Sequence, residues 1–435
     1  MKLEGRSVLV IGMGRSGNAA LELLRGAGAR SSAYDRDPSR LAGLPDDVER
    51  HSGDAPPALD AFDLAIASPG VSLPPDERIV PEVDLAAEHL RSTLIGVTGT
   101  NGKSTTTALI AACLRESGLD AQTGGNFGTP LCALVESAPE YVVAELSSFQ
   151  LERARRLRPR VGVLLNLAPD HLDRHGSLKA YAAAKARLAD LQRPGDTLVF
   201  NADDPWARDV RARDGVRRLG FSERSPQADG AFVESGGLVL ARAGRPLLSV
   251  PLARLSRAAR SPLSNALAAA AAAHAAGAAL EAISGALCRF EGLPHRGAEV
   301  CTRGGVRYVD ASKATNPAAA AVSLSAEPGP LIWLAGGRNK GLDFGGLSAA
   351  ARGVRLAVLF GESGPALAES LAGSCPTERV ARLADAVVRA AEIALPGETV
   401  LLAPACASFD EFRSFEERGA RFAELARSLS DGGSA

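Results

Sequence analysis

Residues Leu94 to Thr107 read Leu-Ile-Gly-Val-Thr-Gly-Thr-Asn-Gly-Lys-Ser-Thr-Thr-Thr, an apolar strand that runs into a glycine-rich turn closed by a lysine and hydroxyls. Gly99 and Gly102 let the backbone turn tightly and present successive N–H donors. Lys103 adds a point charge, and Ser104 or Thr105 can reach a magnesium ion as a helix begins. The stretch therefore reads as a cradle for a nucleoside triphosphate, with Gly99, Thr100, Asn101, Gly102, Lys103, Ser104 and Thr105 as its candidate residues. The strict phosphate-loop pattern wants a glycine where Val97 stands, so this is a variant loop. An ordinary strand-to-helix turn is the alternative reading, but Gly-Lys-Ser-Thr directly after Val-Thr-Gly-Thr-Asn asks for more than a turn.

At about 150 residues per domain, a chain of 435 residues is expected to form three domains. The formal net charge of −1 offers no footprint for nucleic acid or an anionic membrane, so small-molecule partners are expected. A monomer is expected as well, though no pattern in the sequence fixes the oligomeric state. The six cysteines lie at least thirteen positions apart, which fits neither zinc-ligand spacing nor a disulfide framework. A reducing cytoplasm is the expected location, and the amino terminus lacks the apolar core and cleavage site of a signal peptide. The alanine-rich run from Asn265 to Ile283 contains His274, Gly277 and Glu281, which predicts a packed helix in place of a membrane span. A short low-complexity tail begins at Asp431.

The predicted fold is α/β with three domains: residues 1–91, 92–292 and 293–435. The first opens with Ser7-Val-Leu-Val-Ile11, then Gly12-Met-Gly14-Arg-Ser-Gly17, a helix and Asp35. That is the strand, G-x-G-x-x-G turn, helix and distant acid of a dinucleotide fold, for which an NAD-dependent oxidoreductase is one reading. Ser68-Pro69-Gly70 follows another strand, where ligands bind such sheets or where an ordinary turn would do. In the second domain, strands end in Glu145, in Asn166 ahead of Asp170-His171, and in Asn201 ahead of Asp203-Asp204. An acid at a strand end beside a phosphate loop suits a magnesium ligand. Taken together these ends place one site along one sheet edge, whereas Lys185 reads as an ordinary solvated lysine. In the third domain several strand ends carry lysine or hydroxyl groups suited to carboxylates and phosphates.

The ordered set Gly96-Val-Thr-Gly-Thr-Asn-Gly-Lys-Ser-Thr105, Gly124-Gly-Asn126-Phe-Gly128, Glu145-Leu-Ser-Ser-Phe-Gln-Leu151, Asp170-His-Leu-Asp-Arg174, Leu293-Pro-His-Arg296, Ser312-Lys-Ala-Thr-Asn316 and Pro404-Ala-Cys-Ala-Ser408 resembles the Mur ligase family over essentially the whole chain. The resemblance implies a Rossmann-like UDP-binding domain, a central phosphate-loop ATPase domain with a mainly parallel sheet, and a Rossmann-like C-terminal domain that closes onto the other two with the amino acid. It implies ATP, two magnesium ions and a carbamate on Lys185 as cofactors, with UDP-N-acetylmuramoyl-L-alanine and D-glutamate as the other substrates. By the same resemblance Arg15, Ser16, Asp35, Arg36, Ser68 and Gly70 would hold UDP. Carbamylated Lys185 and His171 would ligate one magnesium, and Glu145 and Ser104 the other. Asn126 and Ser147 would contact the muramoyl substrate, and Arg296 and Lys313 the phosphates and reacting groups. Thr315, Lys340, Ser408 and Phe415 match the D-glutamate pocket, with Phe409 a further substrate-binding candidate. Two positions depart from the family pattern. Ser261 and Pro262 replace a His-Asn pair, leaving Asn265 as the adenine-side candidate. Ala311 replaces an acid, leaving Asp310 as the candidate for the ATP ribose.

Overall fold

The computed structural model describes residues 2–429 except Ser72, Pro75 and Pro328; the tail from Asp431 lies outside them. The apolar pentapeptide near the amino terminus forms β1 (Ser7–Ile11), which is buried along nearly its whole length. It is joined by β2 (Arg30–Tyr34), β3 (Glu49–His51), β4 (Leu64–Ala67) and β5 (Ile79–Pro81). All pairs are parallel, in the order β3-β2-β1-β4-β5. The order reverses between β1 and β4, and a crevice at such a switch point is where open α/β sheets bind ligands. Gly12 and Ser68 lie just past those two strands.

The second sheet comprises β6 (Thr93–Thr98), β7 (Ala121–Gly125), β8 (Tyr141–Glu145), β9 (Val161–Leu164), β10 (Thr197–Asn201), β11 (Arg217–Ser222), β12 (Gly230–Glu234), β13 (Gly237–Arg242) and β14 (Arg245–Pro251). Its order is β14-β13-β12-β11-β10-β9-β6-β8-β7, parallel throughout except for the antiparallel pairs β12–β13 and β13–β14. Strands covered on both faces read as unbroken apolar runs, as β6, β8 and β9 do. The helix Leu263–Ala275 packs on this sheet with every residue from Ala266 to Ala273 at 0% exposure. The single helix expected from Asn265 to Ile283 is two: Gly277 takes φ 98, the left-handed turn that ends helices, and a second helix runs Leu280–Arg289.

The third sheet holds β15 (Ala298–Arg303), β16 (Val306–Asp310), β17 (Leu331–Gly336), β18 (Val354–Phe360), β19 (Thr377–Arg379) and β20 (Thr399–Ala405), in the order β15-β16-β20-β17-β18-β19. Only β15 is antiparallel to its neighbour. Among the described residues no helix is long and apolar enough to cross a membrane.

Three sheets form, yet the chain divides into two compact units. Residues Met1–Leu167 and Lys179–Phe290 make one, Ala168–Leu178 and Glu291–Ala435 the other. The first two sheets share a unit because buried acids of the helix Glu82–His89 reach from one to the other. Asp84 accepts the backbone N–H groups of Arg155, Arg156 and Leu157 at 2.6, 3.0 and 3.0 Å, and Glu82 accepts that of Cys132 at 2.8 Å. Burial pushes the Glu82 carboxyl above its ordinary range despite those donors. The segment 168–178, which the sequence places in the central domain, groups with the second unit. Asp170 there accepts from Asn316 at 3.3 Å and lies 3.7 Å from the Lys340 ammonium.

Candidate active site

The phosphate loop leaves β6 at Thr98 and enters the helix Lys103–Glu116, whose N-cap is Gly102 at φ 84. Gly102 has no side chain to cap the first amides of that helix, and a helix start of this kind favours an anion. Asn166, past β9, fixes the loop. Its carbonyl accepts from Thr100 N (2.9 Å), its side chain accepts from Asn101 N (2.9 Å), and its Nδ2 donates to Asn101 O (3.1 Å). Lys103 Nζ donates to the Gly99 and Thr100 carbonyls at 2.9 and 2.8 Å. A triphosphate would compete for that ammonium with these neutral carbonyls, and charge-assisted hydrogen bonds are about twice as strong as neutral ones. A Cβ at Gly102 would overlap the Asn265 side-chain oxygen, which places Asn265 against the loop. Gly102→Ala should therefore lose about 1–2 kcal/mol to left-handed strain and more to displacement of Asn265. Chemical denaturation and ATP titration of the variant check both effects.

Glu145 ends β8 at 3% exposure and gathers two other candidate residues. One carboxylate oxygen accepts a short bond from the Ser104 hydroxyl, the other accepts from Asn126 Nδ2 at 2.7 Å. The two oxygens expected to ligate magnesium are thus side by side at the head of the phosphate-loop helix, and the donor set is the hard oxygen type that ion takes. Among the described residues no cluster of three or more His, Cys, Asp or Glu side chains is placed to hold a metal by itself. Magnesium commonly takes part of its coordination from nucleotide and water, which suits a site with two protein oxygens at its base.

Lys185 is buried at 1% exposure in the helix Leu178–Asp190, its amine donating to Gly99 O at 2.7 Å and lying 4.5 Å from the centre of the Tyr181 ring. The solvated lysine read from sequence is corrected: the side chain reaches the edge of the phosphate loop. A signal for this was present, because Tyr181, Ala184, Leu188 and Ala189 mark the apolar stripe and position 185 falls on it. Ser147 caps the helix Ser148–Arg153 in a capping box with Gln150, so its hydroxyl has a local role at the place where a substrate contact was expected.

At the end of the first sheet Asp35 staples the glycine turn. Its carboxylate accepts from Met13 N at 2.7 Å and Asp37 N at 3.0 Å. Ser68 Oγ donates to Gly12 O at 2.7 Å, and a Cβ at Gly17 would overlap Gly12 O, so this turn requires its glycines. Arg15 donates to Gly128 O at 2.6 Å and Arg36 to Asp54 O at 3.3 Å. The helix Arg15–Gly26 begins at Gly14 without a side-chain cap, as a phosphate site would need. Ser16 sits in its first turn, and Gly70 in the turn after Ser68.

In the second unit the loops after β16, β17 and β20 carry most of the remaining candidates. Lys313 places its ammonium 3.7 Å from the centre of the Phe415 ring. Thr315 N donates to Lys313 O, and Asn316 caps the helix Pro317–Ala326. Arg338 and Ala407 exchange backbone bonds, joining the Lys340 loop to the one bearing Ser408. Ser408 is buried at 2%, whereas the Phe409 ring is 60% exposed. His171 adopts φ 51 and is part-exposed, with Nε2 3.8 Å from Asp170. Asp310 turns toward His295, 2.6 Å from its Nδ1, and accepts from Ser312 N at 2.8 Å. A ribose would have to compete for it with both. Arg296 directly follows His295.

Sequence reasoning missed Arg418. It is fully buried and donates to Ser312 Oγ (3.0 Å), Ser312 O (2.9 Å) and Cys406 O (3.1 Å), tying the loops after β16 and β20 together. Burial draws its guanidinium down to about 10, well below the usual arginine range.

Two family models match the chain: the Mur ligase middle domain over residues 97–273 and the Mur ligase, glutamate ligase domain over residues 295–406. The chain is 40% identical to the UDP-N-acetylmuramoylalanine–D-glutamate ligase of Pelotomaculum thermopropionicum, covering 98% of each. It is also 40% identical to the ligase of the same name from Solibacter usitatus, covering 99% of each. Among solved structures it is similar in fold to the MurF ligase of Thermotoga maritima in complex with ADP, with TM-score 0.61 and 17% identity over 97% of this chain and 94% of that one.

Proposed function

Because the chain belongs to the Mur ligase family of ATP-dependent, amide-forming ligases, we propose that it joins D-glutamate to UDP-N-acetylmuramoyl-L-alanine in cytoplasmic peptidoglycan precursor synthesis. The observation that carries this reading is the 40% identity, over nearly the full length of both chains, to relatives named for that reaction. The candidate residues support it unit by unit.

The L-alanyl carboxylate is a poor acyl donor until one oxygen becomes a leaving group. In the proposed first step that oxygen forms a bond to the γ-phosphorus of ATP while the bond to ADP breaks. Lys103 and the amides after Gly102 face the charge that spreads over the moving phosphoryl group, where preorganised donors act most strongly. In the second step the D-glutamate amine attacks the acyl carbon, phosphate departs with its oxygen, and the nitrogen loses a proton. Magnesium held by Ser104 and Glu145, and a second with a carbamate on Lys185 among its ligands, would supply neutralising charge. A carbamate suits this task, since carbon dioxide on the amine yields an anionic oxygen ligand. Arg296 and Lys313 serve phosphate and carboxylate groups. Thr315, Lys340 and Ser408 bind the incoming amino acid beside Phe415. Asn126 orients the muramoyl chain, and Asp35, Arg36, Ser68 and Gly70 hold the uridine nucleotide. Asn265 serves the adenine side.

The amino acid is tested by incubating enzyme, ATP, magnesium and UDP-N-acetylmuramoyl-L-alanine with D-glutamate, L-glutamate or L-lysine and reading product mass. The expected product gains one glutamyl residue and forms with D-glutamate alone. Extension by L-lysine, or equally by both glutamates, would point to a sibling ligase.

A further inference from the structure

We propose that Asp310 is a positioning residue for the amino-acid substrate: it holds His295 against Phe415 and so sets the shape of the pocket containing Phe415 and Lys313. The proposal rests on the D-glutamate reading of that pocket.

Asp310 is the last residue of β16, 3% exposed, and faces the helix Phe415–Ser428, while Ala311 turns into the opposite core with Val309 and Trp333. One carboxylate oxygen lies 2.6 Å from His295 Nδ1 and the other accepts from Ser312 N at 2.8 Å. His295 in turn accepts the Lys313 N–H on its carbonyl at 3.1 Å and sets its ring edge-on to Phe415, centroids 6.3 Å apart. Ser312 Oγ donates to Phe415 O at 2.8 Å. One acid thus ties the 295 segment, the Ser312-Lys313 loop and the start of the helix into one piece. Two further features mark the arrangement as built. His295 holds φ 61, a backbone cost for a residue with a side chain. Gly419, one turn beyond Phe415, has its Cβ space filled by His295 Nδ1 and by Asp310 Oδ2 at 2.7 Å, so a larger residue would push the pair apart.

The pair gives the pocket a pH dependence. The charged groups around His295 are Asp310 on β16, Glu416 and Arg418 on the helix, and Lys313 in the loop. The hydrogen bond to Asp310, then its charge and that of Glu416, lift the imidazole above its ordinary 6.5 against the pull of burial. A raised histidine keeps its ionic partner fully below 6.5 and loses it as pH rises through the raised value. D-glutamate should accordingly bind best on the acid side of that transition.

Proton NMR of the imidazoles, with His295→Gln to identify the resonance, gives the His295 midpoint directly and needs no substrate. The expected midpoint lies above 6.5 and falls back in Asp310→Asn. In parallel, the wild-type KM for D-glutamate should rise with pH through that midpoint while the KM for ATP stays level. In Asp310→Asn the KM for D-glutamate should be about tenfold higher, the size of a lost charged hydrogen bond, and flat with pH. Gly419→Ala keeps both titrating groups, gains helix propensity and displaces the pair, so it should show the same raised KM. A His295 midpoint at the ordinary value overturns the pairing, and a flat wild-type KM despite a raised midpoint overturns the positioning role. Failure of D-glutamate to support turnover at any pH overturns the substrate reading instead, and the NMR midpoint separates the two failures.

Discussion

Lys103→Ala should lower ATP turnover at least about a thousandfold, the upper end of the loss seen when one preorganised donor is removed from developing charge, while the fold stays intact. Lys103 is the first residue of the Lys103–Glu116 helix and its ammonium donates to the Gly99 and Thr100 carbonyls of its own loop, so truncation gives up local bonds and leaves the sheet and helix packing in place. Alanine is a good residue at a helix start, and the loop retains its three bonds to Asn166. The thermal midpoint should therefore move little while phosphate release collapses. Lys103→Arg should not rescue activity, because a planar fork cannot replace a compact point charge inside a turn this tight. Retained turnover in Lys103→Ala would remove the cradle assignment altogether.

Lys185→Ala should cost at least about a hundredfold in turnover, beyond the 10–100-fold typical of residues one step removed from a metal. It should also cost about 2–4 kcal/mol of stability, because the four-carbon stem is buried at 1% exposure and its removal leaves a cavity. That cavity supplies the sharper test. A short carboxylic acid can enter it and place an oxygen where the carbamate would lie, so acetate or formate should restore part of the activity. Depleting carbon dioxide should slow the wild-type enzyme and leave the variant unchanged. If the variant is not rescued and the wild-type enzyme ignores carbon dioxide, the buried amine acts without carbamylation, through its bond to Gly99 O.

What could be read from the chain beforehand was whatever depends on local order. The phosphate loop and the first glycine turn are contiguous, and each announces itself by glycines whose φ values of 84 at Gly102 and 90 at Gly12 exclude most other residues. Buried parallel strands were equally legible as apolar runs. Other features were legible but outweighed: the apolar stripe of the Leu178–Asp190 helix implied the burial of Lys185, and Ser147-Ser-Phe-Gln150 carries the spacing of a capping box. The remainder depends on groups that only sheet register and helix docking bring together. His295 and Asp310 are fifteen positions apart, Asp170 and Asn316 one hundred and forty-six, Ser312 and Arg418 one hundred and six. For the same reason the grouping of residues 168–178 with the second unit was invisible to a reading of composition and boundaries.

The central claim is that ATP cleavage is coupled to joining one particular acid and one particular amine. The direct measurement is phosphate release from ATP and magnesium with UDP-N-acetylmuramoyl-L-alanine, with and without D-glutamate. The expected result is release that requires both substrates and matches product one for one, because the phosphorylated carboxylate turns over only when the amine takes it. Release independent of D-glutamate, or ATP binding with no release when both substrates are present, would contradict the ligase reading.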